Sequence, residues 1–166
     1  MIEFDKYGNL VPYDIIEMEI NPFKKVFIDE MRNKNHREAL FNSLQDYTMQ
    51  IMNIIKTGCH QWINGSFVTR TLKPQDIDVV TFIDNQVFNE QEKALIPFTY
   101  PSSKMEYNVD GYLVKTYAKN EENYNLFKSD ALYWMHQFLK TRPNRKGQQF
   151  NKGFIKIFRD YETKTK

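Results

Sequence analysis

Residues 64–80 read NGSFVTRTLKPQDIDVV, and this stretch decides the fold and the chemistry that the chain can support. A turn of small residues at Gly65-Ser66 precedes a short loop and then the apolar run of a strand. The strand opens with Asp76 and Asp78. Residues i and i+2 of a strand point to the same face, about 6.5–7 Å apart, so the two carboxylates are predicted to lie side by side. The stretch therefore predicts an acidic site beside a glycine turn.

The pair of carboxylates suggests a metal site. Two adjacent ionised carboxylates repel each other, and Mg²⁺ commonly takes one or two carboxylates together with substrate phosphates. Gly65 lets the backbone approach a phosphate closely, and Ser66 offers an amide and a hydroxyl as donors. If residues 60–64 pair beside 76–83, the turn and the carboxylates meet at one end of a sheet. The sequence thus predicts a site for a nucleoside triphosphate, expected to be ATP, with Mg²⁺ or Mn²⁺.

A third carboxylate, Asp110, lies within a later strand predicted over 107–117. A carboxylate inside an otherwise apolar strand is expensive unless it is paired or bound to a metal. The neighbouring Gly111 is expected to leave room where a ligand approaches. Glu106, nearer the strand start, is the weaker substitute. A third carboxylate favours transfer chemistry that uses two metal ions.

Composition indicates a folded domain. At 166 residues, with 41% hydrophobic and 15% aromatic residues, the chain is most simply one domain over 1–166 with a sizeable core. No apolar run approaches the roughly 18 residues that span a bilayer, and the start lacks a signal peptide pattern, so a cytoplasmic protein is expected. The single Cys59 excludes an internal disulfide and a zinc site built from several cysteines.

Periodicity outlines the remaining elements. Apolar steps of three and four predict a long amphipathic helix, and Val and Ile runs predict strands. Residues 1–22 are interpreted as an extended arm packed on the domain, and Gly58 as the glycine that ends the long helix. The predicted helices are 23–34, 36–56, 89–95 and 121–140, and the predicted strands are 60–64, 76–83, 107–117 and 154–158.

Basic residues concentrate in the C-terminal segment 140–166, where nine Lys or Arg face two Asp or Glu, although the net charge is only +2. Such a segment can meet nucleotide or nucleic-acid phosphates, or it can be a solvated surface. The cations placed by the sequence near phosphates or on the surface are Arg142, Arg145, Lys146 and Lys152. The predicted phosphate contacts from the central loop are Thr69, Arg70 and Lys73. Tyr112 and Tyr117 are interpreted as base-stacking or core residues.

Together, the Gly-Ser turn, the Asp-x-Asp strand and the third Asp resemble the polymerase-beta-like nucleotidyltransferase superfamily. The chain is more closely similar to small stand-alone bacterial and phage nucleotidyltransferase-like proteins, and segments 9–12, 107–112 and 152–157 share that resemblance. The resemblance implies an α/β (α+β) nucleotidyltransferase fold, a short mixed sheet with helices mainly on one face. It also implies triphosphate binding by Gly65 and Ser66, and metal binding by three carboxylates, those of Asp76, Asp78 and Asp110.

The implied activity is metal-dependent transfer of a nucleoside monophosphate from a triphosphate to a hydroxyl. The acceptor stays open between a protein side chain, an RNA end and a small molecule, and a toxin–antitoxin or phage-defence setting rests on fold analogy. The superfamily's large helical domain is not evident, so a helical partner protein or a homodimer could supply the missing surface. The alternatives are a non-catalytic nucleotide-binding module that regulates a partner, and an RNA-binding domain.

Overall fold

The computed structural model describes residues 2–161, and within that range it contains seven strands and five α-helices. The strands are β1 (Glu3–Phe4), β2 (Leu10–Val11), β3 (Ile15–Glu17), β4 (Cys59–Asn64), β5 (Ile77–Asp84), β6 (Val109–Thr116) and β7 (Phe154–Arg159). The helices are α1 (Ile20–Lys24), α2 (Lys34–Ile55), α3 (Asn85–Leu95), α4 (Ser102–Tyr107) and α5 (Tyr124–Phe138). A π-helical segment (Lys25–Asp29) follows α1, and 3₁₀ turns cover Ser66–Val68 and Ile96–Phe98.

Five strands form one mixed sheet in the order β3-β7-β4-β5-β6. Strand β4 runs antiparallel to both β5 and β7, whereas β5 and β6 run parallel. The end of β4 therefore lies beside the starts of β5, β6 and β7. This edge of the sheet is where the sequence places its carboxylates and its glycine turn.

Each face of the sheet is covered by its own apolar layer. Helix α2 packs Leu44, Tyr47 and Ile51, all fully buried, against one face, and α1, α3 and α4 contribute to the same layer. Helix α5 covers the other face, where Trp62 and Phe138 belong to a second buried cluster. The mixed α+β class is confirmed, with most helices on one face. The second face still needs α5, because the interior strands are apolar on both sides.

The N-terminal arm is more integrated than the expected extended arm over 1–22. Strands β1 and β2 form a small antiparallel hairpin, and β3 joins the main sheet in parallel with β7. Leu10 is fully buried. The helix predicted over 23–34 begins earlier, at Ile20, and changes to π-helical geometry at Lys25. Residue 1 lies outside the described residues.

The long helix predicted over 36–56 is confirmed, but its end differs from the expectation. Lys56, and not Gly58, takes the left-handed conformation that closes α2, with φ 56°. Gly58 serves a different purpose, because a Cβ there would lie 2.7 Å from the carbonyl oxygen of Arg159. The glycine therefore lets the chain pass close to β7. Helix α4 was not predicted, because Pro101 reads as a helix breaker.

The basic C-terminal segment is divided by the fold. Lys140, Arg145 and Lys146 are exposed, whereas Lys152 and Arg159 are buried. Residues 162–166 of the segment lie outside the described residues. Within residues 2–161, no helix is long and apolar enough to cross a membrane.

Gly111 is a packing residue, and the expectation that it faces a ligand is wrong. It lies on the α2 face of β6, where an added Cβ would lie 2.7 Å from the carbonyl oxygen of Phe98 and 2.5 Å from Tyr47 Oη. The neighbouring Asp110 points to the opposite face because side chains alternate along a strand.

We expect Gly111→Ala to lower the free energy of unfolding by about 1–3 kcal/mol, because the core cannot take the added methyl group. Gly147→Ala is measured for comparison: its Cβ would meet open space, and its φ of 74° alone costs about 1–2 kcal/mol. Urea unfolding followed by circular dichroism measures both. A Gly111→Ala variant as stable as the wild type would contradict the packing role of Gly111.

Candidate functional site

The pairing of β4 with β5 places the glycine turn directly against a carboxylate. Asn64 is the register partner of Asp78, and Gly65 follows with φ 80°. A Cβ at Gly65 would lie 2.6 Å from Oδ2 of Asp78. Glycine is thus required here both by the backbone conformation and by the closeness of the carboxylate. The predicted meeting of turn and carboxylates at one end of the sheet is confirmed.

The third carboxylate lies beside the second. Asp110 is the register partner of Asp78 on the parallel strand β6, so their Cα atoms are about 4.8 Å apart. Asp110 is only 5% exposed, and its Oδ1 has no hydrogen-bond partner. Asp76 precedes β5 by one residue, and its side chain is 16% exposed. The structure therefore brings all three predicted carboxylates to one edge of the sheet.

Two cations already contact these carboxylates. Lys104 Nζ, from α4, lies 2.6 Å from Oδ2 of Asp76. Arg142 Nη2 lies 3.6 Å from Oδ1 of Asp78 and 3.8 Å from Oδ2 of Asp110, although the arginine side chain is 79% exposed. A single guanidinium nitrogen thus sits between the two carboxylates.

The electrostatic environment of Asp78 reflects this crowding. Burial raises the pKa of Asp78 above its ordinary value, and the charges of Asp76 and Asp110 add to the rise. The positive charges of Arg142 and Lys152 oppose it. The site therefore favours any further cation that can share these oxygens.

Lys152 is the residue whose position the sequence did not resolve. It lies just before β7, is 5% exposed, and donates from Nζ to the carbonyl oxygen of Gly65 at 3.1 Å. Burial lowers the pKa of Lys152 to about 8. No local pattern separates it from the solvated lysines near it in the sequence, because its burial depends on the pairing of β7 with β4.

These residues line a cleft of about 820 Å³ at the edge of the sheet. The far wall comes from the end of α5 and from the segment that follows it. The lining includes Asn64, Gly65, Ser66, Thr69, Asp76, Asp78, Asp110, Tyr112, Tyr133, Trp134, Lys140, Arg142 and Lys152. Tyr112 and Trp134 pack against each other with ring centroids 4.4 Å apart, and burial raises the pKa of Tyr112 to about 12. Tyr117 does not line the cleft.

Two of the predicted phosphate contacts do not reach the cleft. The Arg70 guanidinium lies over the ring of Phe4, 5.0 Å from its centroid, and Arg70 lines a separate groove of about 570 Å³. Lys73 is exposed and lines neither cavity. Thr69 does line the cleft, but its hydroxyl donates to the carbonyl oxygen of Ser66 at 2.7 Å. The side chain of Thr69 therefore braces the turn.

A buried arginine holds the loop over residues 67–71 in place. Arg37, on α2, donates to the carbonyl oxygens of Phe27 and Phe67 at 3.0 and 2.7 Å and to those of Thr69 and Thr71 at 2.8 and 2.6 Å. Burial lowers the pKa of Arg37 to about 10. No local pattern marks Arg37 as buried, because a single arginine in an amphipathic helix usually lies on the solvated face.

A family model matches residues 2–158, almost the whole chain. The chain belongs to DUF6932, a family of unknown function. No curated protein and no solved structure matches it. The DUF6932 match covers the turn, the three carboxylates, Lys104, Arg142 and Lys152, so the whole cleft lies within the family's shared region.

The donor set in this DUF6932 chain fits a hard divalent cation. Carboxylate oxygens are the ligands that Mg²⁺ prefers, and Oδ1 of Asp110 is buried without a partner. Within residues 2–161, however, no group of three or more His, Cys, Asp or Glu is already arranged around a common metal position. Lys104 and Arg142 contact the same carboxylates that a metal would use. A metal would have to displace these two cations.

The lowered pKa of Lys152 implies that the free energy of unfolding depends on pH. Below about pH 8 the folded protein holds a buried charge that the unfolded chain keeps in water, so Lys152 lowers stability. Between about pH 8 and the ordinary pKa of 10.5, the unfolded chain binds more protons than the folded one, so this penalty fades as the pH rises. We expect Lys152→Met to raise the free energy of unfolding at pH 7 by up to about 3 kcal/mol.

Urea unfolding at pH 7 and pH 10 checks this expectation, with the exposed Lys146→Met as the control. The stabilisation by Lys152→Met should be large at pH 7 and small at pH 10. A variant that is less stable than the wild type at pH 7, or equally altered at both pH values, would contradict the burial of a charged ammonium.

Proposed function

We propose that this protein is a metal-dependent nucleotidyltransferase with a minimal nucleotidyltransferase fold, related to the polymerase-beta-like superfamily. One observation carries the proposal: Gly65, Asp78 and Asp110 lie on adjacent strand ends within one cleft, with Asp76 beside them. Gly65 and Ser66 line this cleft, and three carboxylates lie next to them. Burial and the neighbouring carboxylates raise the pKa of Asp78, and perturbed carboxyl groups in a cleft are typical of functional sites.

Each residue has a role in the proposed reaction. Ser66 holds phosphate oxygens through its amide and hydroxyl, and Gly65 lets the turn pass close to Asp78. Asp76, Asp78 and Asp110 hold Mg²⁺ or Mn²⁺. When bound, the metal supplies charge neutralisation for the triphosphate and for the attacking oxygen.

The transfer itself is an in-line displacement at the α-phosphorus. The oxygen of an acceptor hydroxyl forms a bond to the α-phosphorus of the triphosphate, expected to be ATP. The bond from that phosphorus to the bridging oxygen breaks, and pyrophosphate leaves with the electron pair. Asp110 takes the proton of the acceptor hydroxyl, because it is the buried carboxylate with a free oxygen. The acceptor is a hydroxyl of a protein, an RNA end or a small molecule.

Label transfer tests this proposal. Protein, each α-labelled nucleoside triphosphate, Mg²⁺ or Mn²⁺ and cell lysate are incubated together, and labelled protein, RNA and small molecules are separated. We expect Asp78→Asn and Asp110→Asn each to reduce transfer by about 100-fold or more, because each removes a charge that the transition state needs.

Asp130→Asn is the matched control, since Asp130 is an exposed carboxylate of α5 outside the cleft. It should transfer label as the wild type does. Label that is equal in the wild type and in both cleft variants, or absent from all of them, would refute catalysis.

A non-catalytic nucleotide-binding module is the second candidate, and the ion pairs favour it. Lys104 and Arg142 already form ion pairs with the three carboxylates. Such a module would bind a nucleotide, change its contact with a partner and transfer no label. Nucleotide binding without transfer in the same experiment would select this candidate.

The position of Arg142 also leads to a prediction about metal affinity, because it contacts two of the carboxylates. Because it is mostly exposed, its attraction for the carboxylates is weak, and the metal competes with it. We expect Arg142→Gln to tighten the binding of Mn²⁺ alone by about 2- to 5-fold. Electron paramagnetic resonance of free Mn²⁺ measures this affinity, with Arg145→Gln as the control. Weaker Mn²⁺ binding in Arg142→Gln would show that the arginine does not compete for these oxygens.

A further inference from the structure

Lys152 carries a charge that the protein alone does not satisfy. Its ammonium is buried at the edge of the cleft, and the Gly65 carbonyl oxygen is its only hydrogen-bond partner among residues 2–161. No carboxylate of that range lies within ion-pairing distance of it, although Asp78 acts on it from further away. A buried cation is expensive without a paired anion, so its position indicates an anionic ligand.

The order of the strands indicates how an anionic ligand would be oriented along the cleft. Along the edge of the sheet, Lys152 precedes β7, Gly65 and Ser66 follow β4, and the carboxylates lie on the side of β5 and β6. Three carboxylates outnumber Lys104 and Arg142 at the β5–β6 end, so that end stays negative, whereas the Lys152 end is positive and the glycine turn lies between them. A metal belongs at the negative end, and phosphate oxygens belong at the positive end.

We propose that Lys152 forms the subsite for the terminal phosphates of the nucleotide, the part that leaves as pyrophosphate. The triphosphate then crosses the strand ends from β7 toward β6, with its α-phosphorus at the carboxylates. This assignment rests on the proposed function, because it orients the same substrate. The ammonium also makes charge-assisted hydrogen bonds to phosphate oxygens, which are about twice as strong as those from neutral backbone amides.

A buried ammonium could instead serve an anionic acceptor, and the ligands used in the test separate these sources. Calorimetric titrations with ATP, AMP and pyrophosphate, all with Mg²⁺, compare the wild type with Lys152→Met, Lys152→Arg and the control Lys146→Met. A subsite for terminal phosphates predicts that Lys152→Met weakens ATP and pyrophosphate binding by about tenfold or more. Binding of AMP, which lacks these phosphates, should stay within about twofold of the wild type.

Lys152→Arg keeps the charge and should recover part of the loss, whereas Lys146→Met should behave as the wild type. Circular dichroism melts establish that each variant is folded. Unchanged ATP and pyrophosphate affinities in Lys152→Met would overturn the subsite. Equal losses of ATP and AMP would also overturn it, because Lys152 would then act only by supporting the Gly65 turn.

Failure of the proposed function gives a different pattern. If the wild type binds pyrophosphate and ATP through Lys152 but transfers no label, the subsite stands and the enzyme does not. If the wild type binds neither ligand, both proposals fail. If Lys152→Met weakened the binding of AMP alone, Lys152 would contact the α-phosphate, and the assignment to the terminal phosphates would be refuted.

Discussion

The antiparallel pairing of β4 with β5 is the constraint on which the candidate site depends. It sets Asn64 opposite Asp78, so the chain must turn at Gly65, directly beside the Asp78 carboxylate. Only glycine fits there, since a Cβ would meet Oδ2 of Asp78. Because sheet hydrogen bonds fix the register, the distance between turn and carboxylate is set by the core and not by a ligand. The spacing of Gly65 and Asp78 is therefore fixed before anything binds.

Charge balance follows from the same geometry. Three carboxylates gathered at one edge would repel one another, and the fold offsets this with Lys104, Arg142 and, at the positive end, Lys152. In the folded protein the carboxylates and the cations both stay charged, and they form ion pairs with each other. A metal–nucleotide complex brings both signs together. On the proposed function it can replace the protein's cations at the carboxylates and offer phosphates to Arg142 and Lys152 in a single binding event, which couples metal and nucleotide binding.

The parts of this structure that follow from local pattern could be predicted, and those that follow from distant packing could not. The helix α2, the strands β4 to β7 and the positions of Asp78 and Asp110 come from periodicity and from a compact motif. The burial of Lys152 needs β7 to pair with β4, a contact between distant residues. The same limit applies to Gly111, where the neighbouring carboxylate suggested a ligand but Tyr47 and Phe98, far away in sequence, fill the space.

Arg37 shows how the core restricts which atoms the central loop can offer to a phosphate. It draws three carbonyl oxygens of the loop inward, those of Phe67, Thr69 and Thr71. The loop amides are committed as well: Thr69 N donates to Ser66, Arg70 N to Gly8 and Thr71 N to the Thr69 hydroxyl. With those donors occupied and the Arg70 side chain over Phe4, anion recognition on the proposed function falls to the first residues of the turn and to Lys152. A loop that looks rich in phosphate contacts by sequence thus acts as a brace that holds Ser66 in place.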